Sequence, residues 1–167
     1  MSVSRRQPEA DSRLARSKRL GERVEATVIQ RVEELRAAPE RDSRHDAIAE
    51  QCLAPSERLP FAGIALVEQG TPVEIKSVAA VQGQAEKTGR FYLREGQHAE
   101  LLESAGVYVF VVAVPYPDRD PLAMKLVPAS LVDELRGSWI EVDGRCTHTK
   151  LAWSHVFRDA EVSDGVE

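Results

Sequence analysis

The apolar positions of the chain first predict a long amphipathic helix. Between residues 12 and 38, apolar side chains recur every three or four positions, at Leu20, Val24, Val28, Val32 and Leu35. This spacing places them on one face of a helix, and Pro39 marks its end. We therefore predict a helix over residues 12–38 that packs against a core.

Beyond the helix, the pattern changes to the shorter period of strands. Residues 61–67 form an apolar run between Pro60 and the Gln69-Gly70 turn, and residues 72–81 are its predicted hairpin partner. The unbroken apolar run at 107–114 predicts a central strand covered on both faces. The remaining predictions are a loop with a short strand or helical turn at 40–60, a loop at 82–89, strands at 90–94 and 122–127, a turn at 115–121, helices at 96–105 and 130–136, and a last strand and a helix or edge element within 139–142 and 151–157.

Length and composition indicate one domain. A chain of 167 residues with 43% apolar content supports one core. We expect this domain at residues 16–160, between a basic arm (1–15) and an acidic tail (161–167). No apolar run is long enough for a membrane span or a secretory leader, and the two cysteines are far apart in sequence, so we predict a cytoplasmic protein with reduced thiols.

The charge pattern gives a mixed indication about partners. The net charge of -5 weighs against a nucleic-acid binder, but basic residues are concentrated between residues 5 and 23. Arginine outnumbers lysine by 17 to 5 among the 22 basic residues, which is typical of a GC-rich genome.

The strand predicted at 72–81 carries the candidate chemistry. Because strand side chains alternate between faces, Glu74 and Lys76 project from one face, and Val73, Ile75 and Ser77 from the other. A carboxylate that can bind a metal ion such as Mg²⁺, next to an ammonium group that can bind an anionic oxygen, is the minimum set of groups for hydrolysing a phosphodiester.

The order α-β-β-β-α-β, with Glu-x-Lys on the second strand, resembles the core of the PD-(D/E)xK nuclease superfamily. The short motifs that carry the resemblance lie at residues 18–25, 60–63, 73–77, 89–93, 97 and 107–112. The resemblance is to restriction-endonuclease-like proteins and archaeal Holliday-junction resolvases, and in particular to small haloarchaeal members. It implies an α/β fold with a central mixed sheet flanked by helices, followed here by a C-terminal extension.

The resemblance also implies roles for individual residues. Glu74 would be a metal ligand with the backbone carbonyl of Ile75, and Lys76 would orient the attacking water and the scissile phosphate. Gln97 corresponds to a glutamine used in resolvase-like sites. Glu25 would be the supporting acid of the first helix, because it lies at the edge of the apolar stripe, whereas Glu22 points toward solvent.

One position departs from the family pattern. Pro60-Phe61-Ala62-Gly63 lies where the family has its Pro-x-Asp element, so Ala62 would replace the aspartate that binds metal. Three explanations remain open: the alanine was introduced to inactivate the enzyme, another acid takes over, or the fold binds without cutting. Asp46 is the first candidate for the substitute acid and metal ligand, and Glu68 is the second.

The sequence therefore predicts an endonuclease-like protein that depends on Mg²⁺ or Mn²⁺ and acts on double-stranded or branched DNA. A homodimer is expected because resolvases of this superfamily are usually dimers. The alternative is a catalytically inactive nuclease-fold module that binds nucleic acid or a protein. A third hypothesis is an unrelated α/β interaction domain in which Glu-x-Lys is a coincidence.

Overall fold

The computed structural model describes residue 18 and residues 21–39, 45–82, 87–114, 121–144 and 146–163. No helix within these ranges is both long and apolar enough to cross a membrane. In chain order, the elements are α1 (21–31), β1 (Leu35–Ala37), β2 (Ala47–Ala49), β3 (Pro72–Ala79), β4 (Val81–Gln82), β5 (Lys87–Thr88), β6 (Arg90–Arg94), α2 (Glu95–Glu103), β7 (Val107–Ala113), β8 (Pro121–Pro128), α3 (Ala129–Leu135), β9 (His148–Ala152) and α4 (Asp159–Ser163).

A mixed five-stranded sheet forms the centre of the fold, in the order β1-β2-β3-β7-β8. Strands β3 and β7 are parallel, and the other neighbours are antiparallel. Two smaller sheets pair β4 with β5 and β6 with β9. This architecture confirms the predicted α/β class with a mixed sheet and flanking helices.

The two faces of the central sheet pack against different layers. Val73 and Ile75 of β3 belong to a core cluster with the apolar stripe of α1. Val78 belongs to a second cluster, formed with β6, α2, α3 and β9. All seven residues of β7 are buried, because this strand lies inside the sheet and is covered on both faces, as predicted.

The predicted first helix is too long at its C-terminal end. Helix α1 ends at Arg31, and Leu35 begins the strand β1, although Val24, Val28 and Leu35 are all buried as the stripe predicted. The helix prediction is wrong over this last segment because β1 pairs with β2 along the edge of the sheet. Residues 12–17, 19 and 20 lie outside the described residues.

The predicted hairpin between residues 61–67 and 72–81 is also wrong. Residues 61–67 form no strand; Phe61 makes a single bridge to Leu126 in β8, and Val67 makes one to Leu53. Gly63 has a φ of +74°, a conformation that interrupts an extended strand. The antiparallel neighbour of β3 is β2 instead.

Five further elements are confirmed to within about two residues, namely the strands at 90–94, 107–114 and 122–127 and the helices at 96–105 and 130–136. The loop prediction at 82–89 is wrong at its ends, where β4 pairs with β5. The turn predicted at 115–121 lies almost entirely outside the described residues. In the C-terminal extension, the strand is β9, which begins three residues before the predicted segment 151–157 and pairs with β6. Residues 139–142 form no strand, and Ile140 makes a single bridge to His148. After β9, the indole Nε1 of Trp153 donates to the carbonyl oxygen of Ala80 at 3.0 Å, which ties the extension to the end of β3.

Gly89 is a position where no side chain fits. A Cβ atom there would overlap the backbone carbonyl oxygen of Ala79 and the side chain of Val78. We expect Gly89→Ala to lower the free energy of unfolding by about 2 kcal/mol or more, the range in which overpacked cores lie. Chemical denaturation measures this change.

Gly96, in the first turn of α2, provides the matched control, because a Cβ at that position meets nothing within 4 Å. Gly96→Ala is expected to be neutral or to stabilise by about 0.5 kcal/mol. Equal stability of the two variants would contradict the conclusion that no side chain fits at Gly89.

Candidate active site

Asp46 connects β2 to β3 through both its backbone and its side chain. Its amide donates to the carbonyl oxygen of Val73 at 3.1 Å, which continues the β2–β3 ladder. Two residues further along β3, its carboxylate Oδ2 accepts a 2.7 Å hydrogen bond from the amide of Ile75. Where the backbone pairing of β2 with β3 ends, the side chain of Asp46 provides the next hydrogen bond to β3. This bond holds the Asp46 carboxylate beside Glu74.

Glu74 is a buried acid with one free oxygen. Its side chain is on the β3 face opposite Val73 and Ile75, and the residue is only 3% exposed. Its Oε1 lies 3.1 Å from the Nζ of Lys76. Its Oε2 is buried and has no hydrogen-bond partner within the described part of the chain. An unpartnered buried carboxylate oxygen is costly, so the site favours an additional cation or donor.

Two helices also contribute side chains to this region: α2 contributes Gln97 and α1 contributes Glu25. The ammonium group of Lys76 donates to Oε1 of Gln97, near the start of α2, at 3.3 Å. From the other side of the sheet, half-buried Glu25 of α1 lies within hydrogen-bonding reach of the Asp46 carboxyl group. Glu22 is exposed, as the helical geometry predicted. The structure therefore brings together every side chain that the sequence singled out for catalysis.

Burial and the neighbouring charge of Asp46 raise the pKa of two acids of the site, Glu25 and Glu74. Burial, followed by the charge of Asp46, raises the pKa of Glu25 to about 7. Burial also raises the pKa of Glu74 to about 7; the ammonium of Lys76 opposes this shift and Asp46 reinforces it. Three neighbouring carboxyl groups and one ammonium leave an excess of negative charge when the acids ionise, and a bound cation would relieve it.

The donor set fits a divalent cation such as Mg²⁺ or Mn²⁺. Both ions prefer carboxylate and carbonyl oxygens, and the free Oε2 of Glu74 is such a ligand. Among the described residues, no group of three or more His, Cys, Asp or Glu side chains is arranged as a metal centre. A cation here would therefore be held by Asp46 and Glu74 together with a backbone oxygen, for which the Ile75 carbonyl remains the prediction.

Ala62 does not occupy the position that the sequence assigned to it. Its amide donates to the carbonyl oxygen of Leu126 in β8, so its segment lies along the outer edge of that strand. Three strand spacings, roughly 14 Å, separate this edge from β3. The acid on the strand next to β3 is Asp46, and the alignment of Ala62 with a metal-binding aspartate is wrong. Glu68, the other substitute considered, is an exposed residue in the turn before β3.

A polar network of Tyr108, His98 and Asp133 lies near Glu74. The hydroxyl of Tyr108 lies 2.8 Å from Nδ1 of His98, whose Nε2 lies 3.0 Å from the carboxylate of Asp133. Because a carboxylate only accepts, Nε2 carries a proton, and in neutral His98 the Tyr108 hydroxyl donates to Nδ1. Burial and the nearby charge of Glu74 raise the pKa of Tyr108 far above its ordinary value. The network anchors α2, and with it Gln97, against β7 and α3.

Sequence reasoning missed two residues near the site. Tyr108 is opposite Glu74 in the register of β7 with β3, a pairing that no sequence pattern indicates. His45 precedes Asp46, and its Nε2 is buried with no partner among the described residues. Adjacency to Asp46 was the one signal that could have indicated His45.

Comparison with known proteins supports the same interpretation. The family model of a PD-(D/E)XK nuclease superfamily domain matches residues 11–158, which include the whole site. No curated protein and no solved structure matches the chain at a significant level. The family match covers most of the chain, and the mixed sheet with Glu-x-Lys on β3 agrees with it. The chain therefore belongs to the PD-(D/E)XK nuclease superfamily.

Proposed function

We propose that the protein is a metal-dependent endonuclease that hydrolyses phosphodiester bonds of DNA. The observation that carries this proposal is the convergence of Asp46 with the Glu74–Lys76 pair across two neighbouring strands. Ala62, which could not supply a metal ligand, lies at the outer edge of β8, away from these side chains.

Each side chain has a role that follows from its contacts. Asp46 and Glu74 would hold the cation, with the Ile75 carbonyl as a further ligand and Glu25 as the acid behind Asp46. When bound, Mg²⁺ or Mn²⁺ supplies a Lewis acid for the scissile phosphate and the attacking water. Lys76 keeps a fixed positive charge at the site, because Glu74 and Gln97 hold its ammonium from two sides. That charge would stabilise the additional negative charge of the transition state.

Substrate and assembly are parts of the same proposal. Double-stranded or branched DNA is the expected substrate, and a homodimer the expected form, as for resolvase-like members of the superfamily. Plasmid, four-way-junction and single-stranded substrates compared side by side identify the structure that is cut. Sedimentation of the protein alone determines its oligomeric state.

The test of catalysis is cleavage in Mg²⁺ or Mn²⁺ compared with EDTA. We expect Lys76→Gln to lower the cleavage rate by about a hundredfold, the loss typical of removing one preorganised electrostatic group. Lys125→Gln is the matched control. Lys125 lies in the same row of the sheet, two strands away, and also pairs with a glutamate, Glu161, at 2.8 Å. Equal loss in both variants, or cleavage in EDTA, would contradict the proposal.

The second candidate function is a nuclease fold that binds nucleic acid or a protein without cutting. It is favoured by one observation: the described residues contain no group of three or more His, Cys, Asp or Glu side chains arranged to hold a metal. A wild-type chain that binds DNA but gives no metal-dependent products on any of the three substrates would support this candidate.

A further inference from the structure

The β6–β9 ribbon presents one apolar face and one basic face. Strand β6 alternates strictly, with Phe91 and Leu93 buried in the core and Arg90, Tyr92 and Arg94 exposed. On the antiparallel partner, Lys150 lies directly opposite Tyr92 and is also exposed. Three cations and an aromatic ring therefore share one solvent-facing surface, which we call the ribbon face: Arg90, Tyr92, Arg94 and Lys150.

The cations of this face have no acidic partner in the part of the chain that the structure describes. Within the described residues, Arg90, Arg94 and Lys150 make no ion pair, and none of their side chains donates a hydrogen bond. The acid next in sequence, Glu95, begins α2. Three free cations on a chain with a net charge of -5 are a local reversal of sign, and such a reversal fits a polyanion.

Tyr92 places an exposed aromatic ring among these cations, and binding of phosphates alone would not require such a ring. One side of its ring stacks on His148, with centroids 4.5 Å apart and planes 19° from parallel. The buried ring of His148 thus holds one side of the Tyr92 ring in place, while 38% of the surface of Tyr92 remains exposed. A braced, exposed aromatic ring among cations is the arrangement that binds single-stranded nucleic acid by stacking on a base.

The ribbon face leads directly to the candidate active site. Arg94 is the last residue of β6, and Gln97, which contacts Lys76, follows three residues later in α2. At a helical rise of about 1.5 Å per residue, their backbones are roughly 5 Å apart along the helix axis. Arg90 and Arg94 are themselves separated by roughly 13 Å along the strand, so one nucleic-acid strand that follows β6 can place different phosphates on the two arginines.

We propose that the ribbon face binds a single-stranded nucleic-acid segment next to the phosphate that is cut, with Arg90, Arg94 and Lys150 on phosphates and Tyr92 stacked on a base. The location of the cut phosphate rests on the proposed function; the binding surface does not. A duplex held by its phosphates alone would use the cations and not the ring, so Tyr92 distinguishes the two forms of nucleic acid.

Binding of a labelled oligonucleotide of about 16 nucleotides, in EDTA and over a range of salt concentrations, tests the cations. We expect Arg90→Ala/Arg94→Ala/Lys150→Ala to lower the slope of log affinity against log salt by about 2, because each phosphate contact on a single strand contributes about 0.7. The control removes three exposed arginines that lie outside the ribbon, in α1, in β1 and in the segment before Leu59: Arg31→Ala/Arg36→Ala/Arg58→Ala. An equal loss of slope in the control would overturn the proposal, as would an absence of binding by the wild-type chain.

Tyr92 variants test the stacking. We expect Tyr92→Ala to weaken single-strand binding on the order of tenfold while Tyr92→Phe binds as the wild type does. Unchanged binding by Tyr92→Ala, or an equal loss on duplex of the same length, would overturn the single-strand assignment.

A cleavage assay in Mg²⁺ or Mn²⁺ separates this inference from the proposed function. Salt-sensitive binding through the ribbon face without metal-dependent cleavage would contradict the nuclease proposal and support the ribbon. Metal-dependent cleavage by the triple variant, together with an unchanged affinity for the single strand, would contradict the role of the ribbon face and support the nuclease proposal.

Discussion

Asp46→Asn is expected to lower metal-dependent cleavage by about a thousandfold or more, because a metal that stabilises transition-state charge contributes several kcal/mol and this substitution removes one of its carboxylates. Asparagine has nearly the same shape, and its amide oxygen can still accept the 2.7 Å hydrogen bond from the Ile75 amide. The fold is therefore expected to survive, which thermal denaturation checks. Cleavage rates and calorimetric titration with Mn²⁺ measure the effect.

Ala62→Asp provides the control for this assignment. It introduces a carboxylate at the position that the sequence alone suggested, but at the outer edge of β8, roughly 14 Å from β3. We expect no gain in cleavage rate or Mn²⁺ affinity. An active Ala62→Asp chain, together with an Asp46→Asn chain that cuts like the wild type, would show that the site has been assigned to the wrong acid.

Without metal, the protein is expected to lose stability as the pH rises from about 4.5 to about 7. Over this range the unfolded chain ionises Glu25 and Glu74 at their ordinary pKa near 4.5, whereas the folded chain keeps them protonated up to about 7. The folded state then binds more protons than the unfolded state, so the free energy of unfolding falls with pH. For Glu74, which is almost fully buried, the loss is on the order of 3 kcal/mol, since each pKa unit is worth about 1.4 kcal/mol.

Thermal denaturation in EDTA at pH 5, 6, 7 and 8 measures this dependence, and Glu25→Gln/Glu74→Gln identifies its source. The double variant is expected to give a flatter profile, because its amides do not titrate. Mg²⁺ or Mn²⁺ should stabilise the wild-type chain more at pH 8 than at pH 5.5, since protons and metal compete for the same oxygens. A double variant with the same profile as the wild type would contradict the raised pKa values.

The prediction of β6 was correct and the prediction of the strand that pairs with β3 was wrong, because only the first depended on a pattern of neighbouring residues. Strand β6 was predicted to the residue, because its alternation of buried and exposed positions is complete within five residues. Strand β2 has only three residues, Ala47–Ala49, too few to show a period. The longer apolar run at 61–67 was the stronger candidate for a hairpin partner, yet its backbone turns at Gly63. Which segment pairs with β3 was decided by packing across the chain.

The sequence alone determined the α/β class, the superfamily and the strand that carries the site. Glu74 and Lys76 lie on one face because side chains two residues apart in a strand point the same way. The burial of β7 could be predicted because all its residues belong to one continuous apolar run. Only the tertiary structure decided which acid lies beside Glu74 in the candidate site. Asp46 and Glu74 are 28 positions apart, and no local pattern relates them. Their contact arises because β2, not residues 61–67, supplies the neighbour of β3.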